Sequence, residues 1–226
     1  MCFNAGFFPC NYEVYGKKFA DTMIDAFSHA DICGYWELGC QGYFVDIYGN
    51  SQLKLVPSAV LGPAFDRRIT WSKMLKRKKV LVIHPFEATI IEQYKKRKEI
   101  WPDRECLPEF KLLTLKAVQT MANHKDERSK DWFVALDYMM DKIREIDTNE
   151  GFDIALIACG AYGMPLAAMI KQLGKQSIHI GGSLQLLFGI MGGRWDNDNI
   201  YNDAWIRPLP EDMIDNYKKI ESGCYW

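Results

Sequence analysis

Phe152-Asp153-Ile154-Ala155-Leu156-Ile157-Ala158-Cys159-Gly160-Ala161-Tyr162-Gly163 is the stretch whose reading decides the fold. Its first half is a short continuous apolar run, the pattern of a strand buried on both faces. Its second half is a glycine-punctuated corner. A helix is expected next, with Pro165 near its first turn and Gly174 just past its last, the usual asymmetry of helix ends. The uncharged run 154–170 contains Gly160, Gly163 and Pro165 and lies between Asp153 and Lys171. It is short for a membrane span, so strand, turn and helix is the reading.

The same grammar extends both ways. Upstream, Val80-Leu81-Val82-Ile83 reads as a second buried strand, His84-Pro85-Phe86-Glu87 as its turn and 88–101 as a helix. Pro102 and Pro108 bracket a loop. Trp132, Leu136, Met139, Met140 and Ile143 then recur at helical spacing, which marks a core-facing helix. Downstream, Ser177-Ile178-His179-Ile180 reads as a third strand, stopped by Gly181-Gly182. Ser183 is placed to cap a helix over 184–190, closed by Gly192-Gly193. Strand–helix alternation predicts an α/β fold with a parallel sheet, flanking helices and right-handed crossovers. In such a sheet the turns at 84–87, 159–163 and 181–183 share one edge, where a ligand crevice forms.

The rest of the chain is less legible. Residues 17–30 form an amphipathic pattern with Phe19, Met23, Ala26, Phe27 and Ala30 on one face, and Ile32–Tyr35 suits a short strand. The region 40–73 mixes strand-like pieces with turns and gives no clear order. Residues 194–226 read as a wrapped, mostly irregular tail. With 226 residues, 48% apolar and 25% charged, the composition fits one globular domain spanning 1–226. A net charge of −1 leads us to expect no nucleic-acid or membrane-surface partner. The basic clusters 76–79 and 95–98 read as solvated faces or phosphate contacts. Seven scattered cysteines without a C-x-x-C pair suit free thiols in a reducing, cytoplasmic compartment, and Met1-Cys2-Phe3-Asn4 lacks a basic signal-peptide start.

Glycines at a strand-to-helix turn let backbone amides approach an anion, and the helix N-terminus adds favourable partial charge. Gly160, Ala161, Tyr162 and Gly163, with Gly181, Gly182 and Ser183, are therefore candidates to cradle a diphosphate; tight turns and close packing are the other explanation. Tyr162 lies over a bound base or sugar, or is a core aromatic. Gln185 bonds a ligand or caps its own helix, and Arg194 neutralises phosphate or serves the surface. His84 and Glu87, at the crevice edge, are candidate general bases on an acceptor hydroxyl; His179 is a weaker one. Cys159 lacks the G-x-S-x-G elbow spacing, with Ile157 at the first glycine position.

Taken together, Lys79-Val80-Leu81-Val82-Ile83-His84-Pro85-Phe86, the Asp153 to Gly163 stretch with Leu166-Ala167, and Gly174-Lys175-Gln176-Ser177-Ile178-His179-Ile180-Gly181-Gly182 resemble the GT-D-type glycosyltransferases. The chain is also similar to polysaccharide-biosynthesis proteins that carry, as here, Gly223-Cys224-Tyr225-Trp226, and Trp71 suits that layout. The likeness covers residues 12–226 in layout and is carried by motifs from residue 71 onward. It implies a Rossmann-like part over 76–193 between a less regular 1–75 and the tail. It also implies a nucleotide-diphosphate sugar donor and transfer to a hydroxyl of a growing glycan, within a larger glycan-synthesis protein or assembly. The family's Asp-x-Glu, associated with a divalent metal, is best matched by Gly34-Tyr35-Trp36-Glu37. Glu37 then serves as metal ligand or catalytic base, while Tyr35 replaces the aspartate. Either Asp31, Asp46 or Glu87 completes a Mg²⁺ or Mn²⁺ site, or helix N-termini and Arg194 balance the diphosphate without metal. Two rival readings remain: a non-catalytic nucleotide-sugar or glycan-binding module, and another nucleotide-cofactor transferase.

Overall fold

A strand whose side chains are apolar on both faces must be covered twice, and residues 79–84 set this demand. The structure, a computed structural model, describes residues 1–36, 39–62, 71–103, 105–124, 126–128 and 130–226. The elements run α1 (Cys2–Ala5), α2 (Tyr12–Ser28), β1 (Ile32–Tyr35), α3 (Gln41–Tyr48), β2 (Lys54–Pro57), β3 (Lys79–His84), α4 (Glu87–Lys95) and α5 (Arg97–Ile100). They continue with β4 (Lys111–Lys116), α6 (Trp132–Asn149), β5 (Ile154–Ile157), α7 (Gly163–Gln172), β6 (Gln176–His179) and α8 (Leu184–Leu187). Four strands form a parallel sheet in the order β4-β3-β5-β6, and β1 pairs with β2 in a separate parallel pair. The chain is thus α/β, with parallel sheets flanked by helices in a Rossmann-like arrangement.

Side chains alternate across the sheet, as the period of two requires. Val80, Val82, Ile154 and Leu156 enter one core; Leu81, Ile83, Ala155 and Ile157 enter the other. The second core is closed by α6, through Trp132, Leu136, Met139, Met140 and Ile143, with Phe19 of α2 and Leu166 and Ile170 of α7. On the first face α4 contributes Ile90 and α5 Ile100. Much of the remaining cover comes from 184–226, which buries Phe188, Trp195, Trp205, Ile220 and Trp226. The tail, 194–226, is irregular, as expected, and it supplies Trp195, Trp205, Ile214, Ile220 and Trp226 to this core.

The structure corrects several sequence expectations. An edge strand, β4, occupies residues for which no element was expected. Two lysines bracket its four central residues, and Leu112 joins one core while Leu113 and Leu115 join the other. Helix α2 starts at Tyr12 rather than at 17, because the Asn11 side chain accepts from Val14 N at 3.2 Å and caps it. The helix over 88–101 is two pieces, broken at Lys96. The helix over 184–190 stops at Leu187. Gly189 adopts a left-handed φ of +66° and lies so close to Ile100 that a Cβ would meet it at 2.7 Å. Ser183 makes no side-chain capping bond and has helical dihedrals. The region 40–73, whose sequence shows no clear order, contains α3 and β2 among its described residues. Cys2 and Cys10 form a disulfide, while Cys33, Cys40, Cys106, Cys159 and Cys224 lie outside any disulfide. That bond removes two of the thiols on which the expected reducing compartment rests. Among the described residues no helix is long and apolar enough to cross a membrane.

If the tail is core, truncating its last aromatic side chain must cost as much as a core cavity. Trp226→Ala should lower unfolding free energy by about 3–5 kcal/mol in urea titration. A loss under about 0.5 kcal/mol would return the tail to a surface role.

Candidate functional site

In a parallel sheet the strand ends gather by direction, so the turns after β3, β4, β5 and β6 lie on one edge. The chain leaves β3 for β4 on one side and later places β5 and β6 on the other, so strand order reverses between β3 and β5. Open α/β sheets hold their ligands at such a reversal. Ala158 N donates to Ile83 O at 2.9 Å, and Ile180 N to Ile157 O at 3.1 Å, which sets the three expected turns side by side. The sequence therefore placed the turns correctly; what fills them decides the chemistry.

His84 ends β3 and is buried. Its Nδ1 faces Phe86 N at 2.9 Å, and that amide donates, so Nδ1 is unprotonated and the ring proton sits on Nε2. Burial lowers its pKa to about 3. A general base needs a free lone pair, and the one on Nδ1 is already engaged. His84 is accordingly a neutral N–H donor, which corrects its reading as a base. Glu87 opens α4, half-buried and next in line to that turn. It keeps a carboxylate at the edge.

The glycine corners are neighbours, yet the chain's own segments cover them. Gly160 has φ +58°, and a Cβ there would lie 2.7 Å from the Ala5 carbonyl oxygen. Ala161 is buried in the second core. Tyr162 is 1% exposed, stacked on Trp132 with centroids 5.2 Å apart and planes 10° apart, and its hydroxyl meets Thr120 Oγ1 at 3.0 Å. Its ring is a core element and does not lie over a ligand. Gly163 lets the His179 ring sit against α7 where a Cβ would collide. Burial lowers the His179 pKa to about 4. At the third turn Gly182 carries the Tyr225 ring where a side chain would be, whereas Gly181, at φ +66°, has no atom near its missing Cβ. Ser183 is half-buried.

Gln185 is likewise structural. It is 1% exposed, and its Nε2 donates to the carbonyls of Ile190 (3.3 Å), Met191 (3.1 Å) and Tyr225 (3.0 Å), tying the tail to α8. Arg194 pairs with Glu221 and lies 4.8 Å from the Tyr225 ring centroid, partly open to solvent. That ring in turn lies against Gly182. Burial pushes the Cys159 thiol well above its usual range and holds Cys224 up to about 11, so neither is a thiolate nucleophile near neutrality.

Sequence reasoning missed Asp212. Its buried carboxylate accepts from Thr89 N (2.7 Å), Thr89 Oγ1 (2.7 Å) and Ala88 N (3.4 Å), so it occupies the N-terminus of α4. Lys116, which ends β4, lies 3.4 Å away. The tail thus delivers its own anion to the helix terminus beside His84. Arg128 was also missed; it donates to the Lys116 and Ala117 carbonyls at 2.8 and 3.0 Å and holds the turn after β4.

Glu37, the expected metal ligand or base, lies outside the described residues. Asp31 is engaged by Lys171 at 2.7 Å, and among the described residues no group of three His, Cys, Asp or Glu side chains is arranged to hold an ion. The described side chains thus offer no ready carboxylate cluster for Mg²⁺ or Mn²⁺. Compared with family models, curated proteins and solved structures, the chain matches none.

Two outcomes follow from this geometry. Asp212→Ala should cost about 2 kcal/mol in urea titration, from a lost cap over α4, with Asp212→Asn recovering part of it. Lowered histidine pKa values mean that the unfolded chain binds protons near pH 6.5 which folded His84 and His179 refuse. Stability is therefore present above pH 6.5 and lost as pH falls toward 4 and then 3. His84 alone should contribute up to about 1.4 kcal/mol per pH unit in that window, and His84→Gln should flatten the curve.

Proposed function

We propose that this chain binds a nucleotide-diphosphate sugar across the C-terminal edge of the four-stranded sheet and transfers the sugar to a glycan hydroxyl. The observation that carries this reading is the reversal of strand order between β3 and β5, with a neutral His84 donor and Glu87 at the turn beside it. The sequence likeness to GT-D-type glycosyltransferases supports the choice of chemistry. The donor diphosphate takes the open Gly181 turn, with Arg194 offsetting its charge. His84 Nε2–H donates to an oxygen of the bound sugar nucleotide, a bond that a pre-formed neutral donor supplies without reorganisation. Glu87 accepts the acceptor's hydroxyl proton as the new glycosidic bond forms and the nucleoside diphosphate departs. A cytoplasmic location and work within a larger glycan-synthesis assembly belong to the same reading.

A second reading, a binding module without turnover, is favoured by a specific observation. Ala5 covers Gly160, Tyr225 covers Gly182, and Asp212 takes the α4 amides. Thermal-shift titration with UDP-, GDP- and TDP-sugars, paired with a transfer assay, separates the two. Transfer predicts a raised melting temperature and a kcat for Glu87→Gln lower by about 10²–10⁴-fold, with the shift retained. A shift with no turnover, indifferent to Glu87→Gln, selects the binding module. If no nucleotide sugar moves the melting temperature of the wild type or of Tyr225→Ala, neither reading survives.

A further inference from the structure

The opposite edge of the sheet, where β3 and β4 begin, carries a hollow of about 560 Å³ lined by Lys76, Arg77, Glu109, Phe110 and Lys111. The first basic cluster lines it with Lys76 and Arg77, and the second touches its wall through Arg97. One precedes β3. The other ends α4 and forms α5, from which Arg97 reaches Glu109 at 3.2 Å. Backbone bonds fix the walls: Arg77 N donates to Glu109 O, and Lys111 N to Lys78 O, both at 2.8 Å. The floor is apolar, since Phe110 is buried with its ring centroid 4.6 Å from that of Tyr94.

Charge in the hollow is unbalanced. Lys76 is paired with Glu105 and Lys111 with Glu150, both exposed pairs. Hydrogen bonding from these lysines, with their charge, holds both carboxyls below their usual range. The Arg77 side chain pairs with no acid among the described residues. Arg77 also has a left-handed φ of +64°, a conformation that glycine adopts freely and arginine does not. That turn presents at the rim of the concave surface a guanidinium with no acidic partner among the described residues.

We propose that this hollow is a binding site for a phosphomonoester or pyrophosphate group, held by the Arg77 guanidinium with Lys76 and Lys111. Guanidinium offers paired donors to phosphate oxygens, and the two lysines add point charges. The group belongs to a soluble metabolite or to a lipid headgroup. The site is independent of the transfer reading, which concerns the other edge.

The test is titration of ¹⁵N-labelled protein with pyrophosphate at low ionic strength. Saturable amide shifts are expected at 76–79 and 109–111. Arg77→Gly should weaken binding about tenfold or more while leaving the unliganded protein at least as stable as the wild type. Scattered, non-saturating shifts, or unchanged affinity in Arg77→Gly, would overturn the proposal; shifts confined to 160–163 and 181–183 would do so too, while favouring the other edge. Flotation with phosphatidylcholine vesicles containing phosphatidic acid then identifies the source. Arg77-dependent flotation assigns the lipid, and its lack alongside pyrophosphate binding assigns the metabolite.

Discussion

A sheet that is apolar on both faces cannot exist half covered, and this constraint governs the molecule. One face is closed by α6, α7 and α2, in keeping with the strand–helix alternation. The other receives α4, α5 and connecting residues such as Leu75, Leu107 and Phe110, and 184–226 completes it. To reach that face the tail passes the C-terminal edge, and there it leaves Asp212 on α4 and Tyr225 on Gly182. The closure of the crevice is thus a by-product of hydrophobic cover, not a separate device.

Lighter contacts complete the roof. Asn4 Nδ2 reaches Glu221 Oε1 at 3.5 Å, and Glu221 also meets Arg194. Glu221, Ser222 and Gly223 follow one another at φ values of +44°, +61° and +79°, a left-handed run that only the last of them favours. Exposed bonds over strained backbone belong to the low-stability end of a structure. The buried sheet beneath belongs to the opposite end.

The legibility of this fold followed sequence distance. Strands β3 and β5, helix α6 and the Gly174 stop announce themselves within a few residues. Strand β4 did not, because lysines at 111 and 116 leave only four residues between them. The state of His84 rests on an amide two residues on, yet it needs the turn's geometry to be seen. Tyr162 reads as a ligand platform until Trp132 and Thr120, far off in the chain, are placed around it. Asp212 gave no signal, since its partners on α4 lie 123 and 124 residues earlier. The turns of the candidate site were legible, and their contents were not.

Gln185 gives the tail's grip on the glycine turn a thermodynamic meaning. One amide nitrogen serves Ile190 and Met191 beside it and Tyr225 across the fold, so the tail is fastened at a point adjoining the turn it covers. A molecule competing with Tyr225 for Gly182 meets a threshold. Its measured affinity is its intrinsic affinity multiplied by the fraction of chains in which the ring has already swung away. On the proposed reading the tyrosine is thus a resident competitor, tethered at high effective concentration.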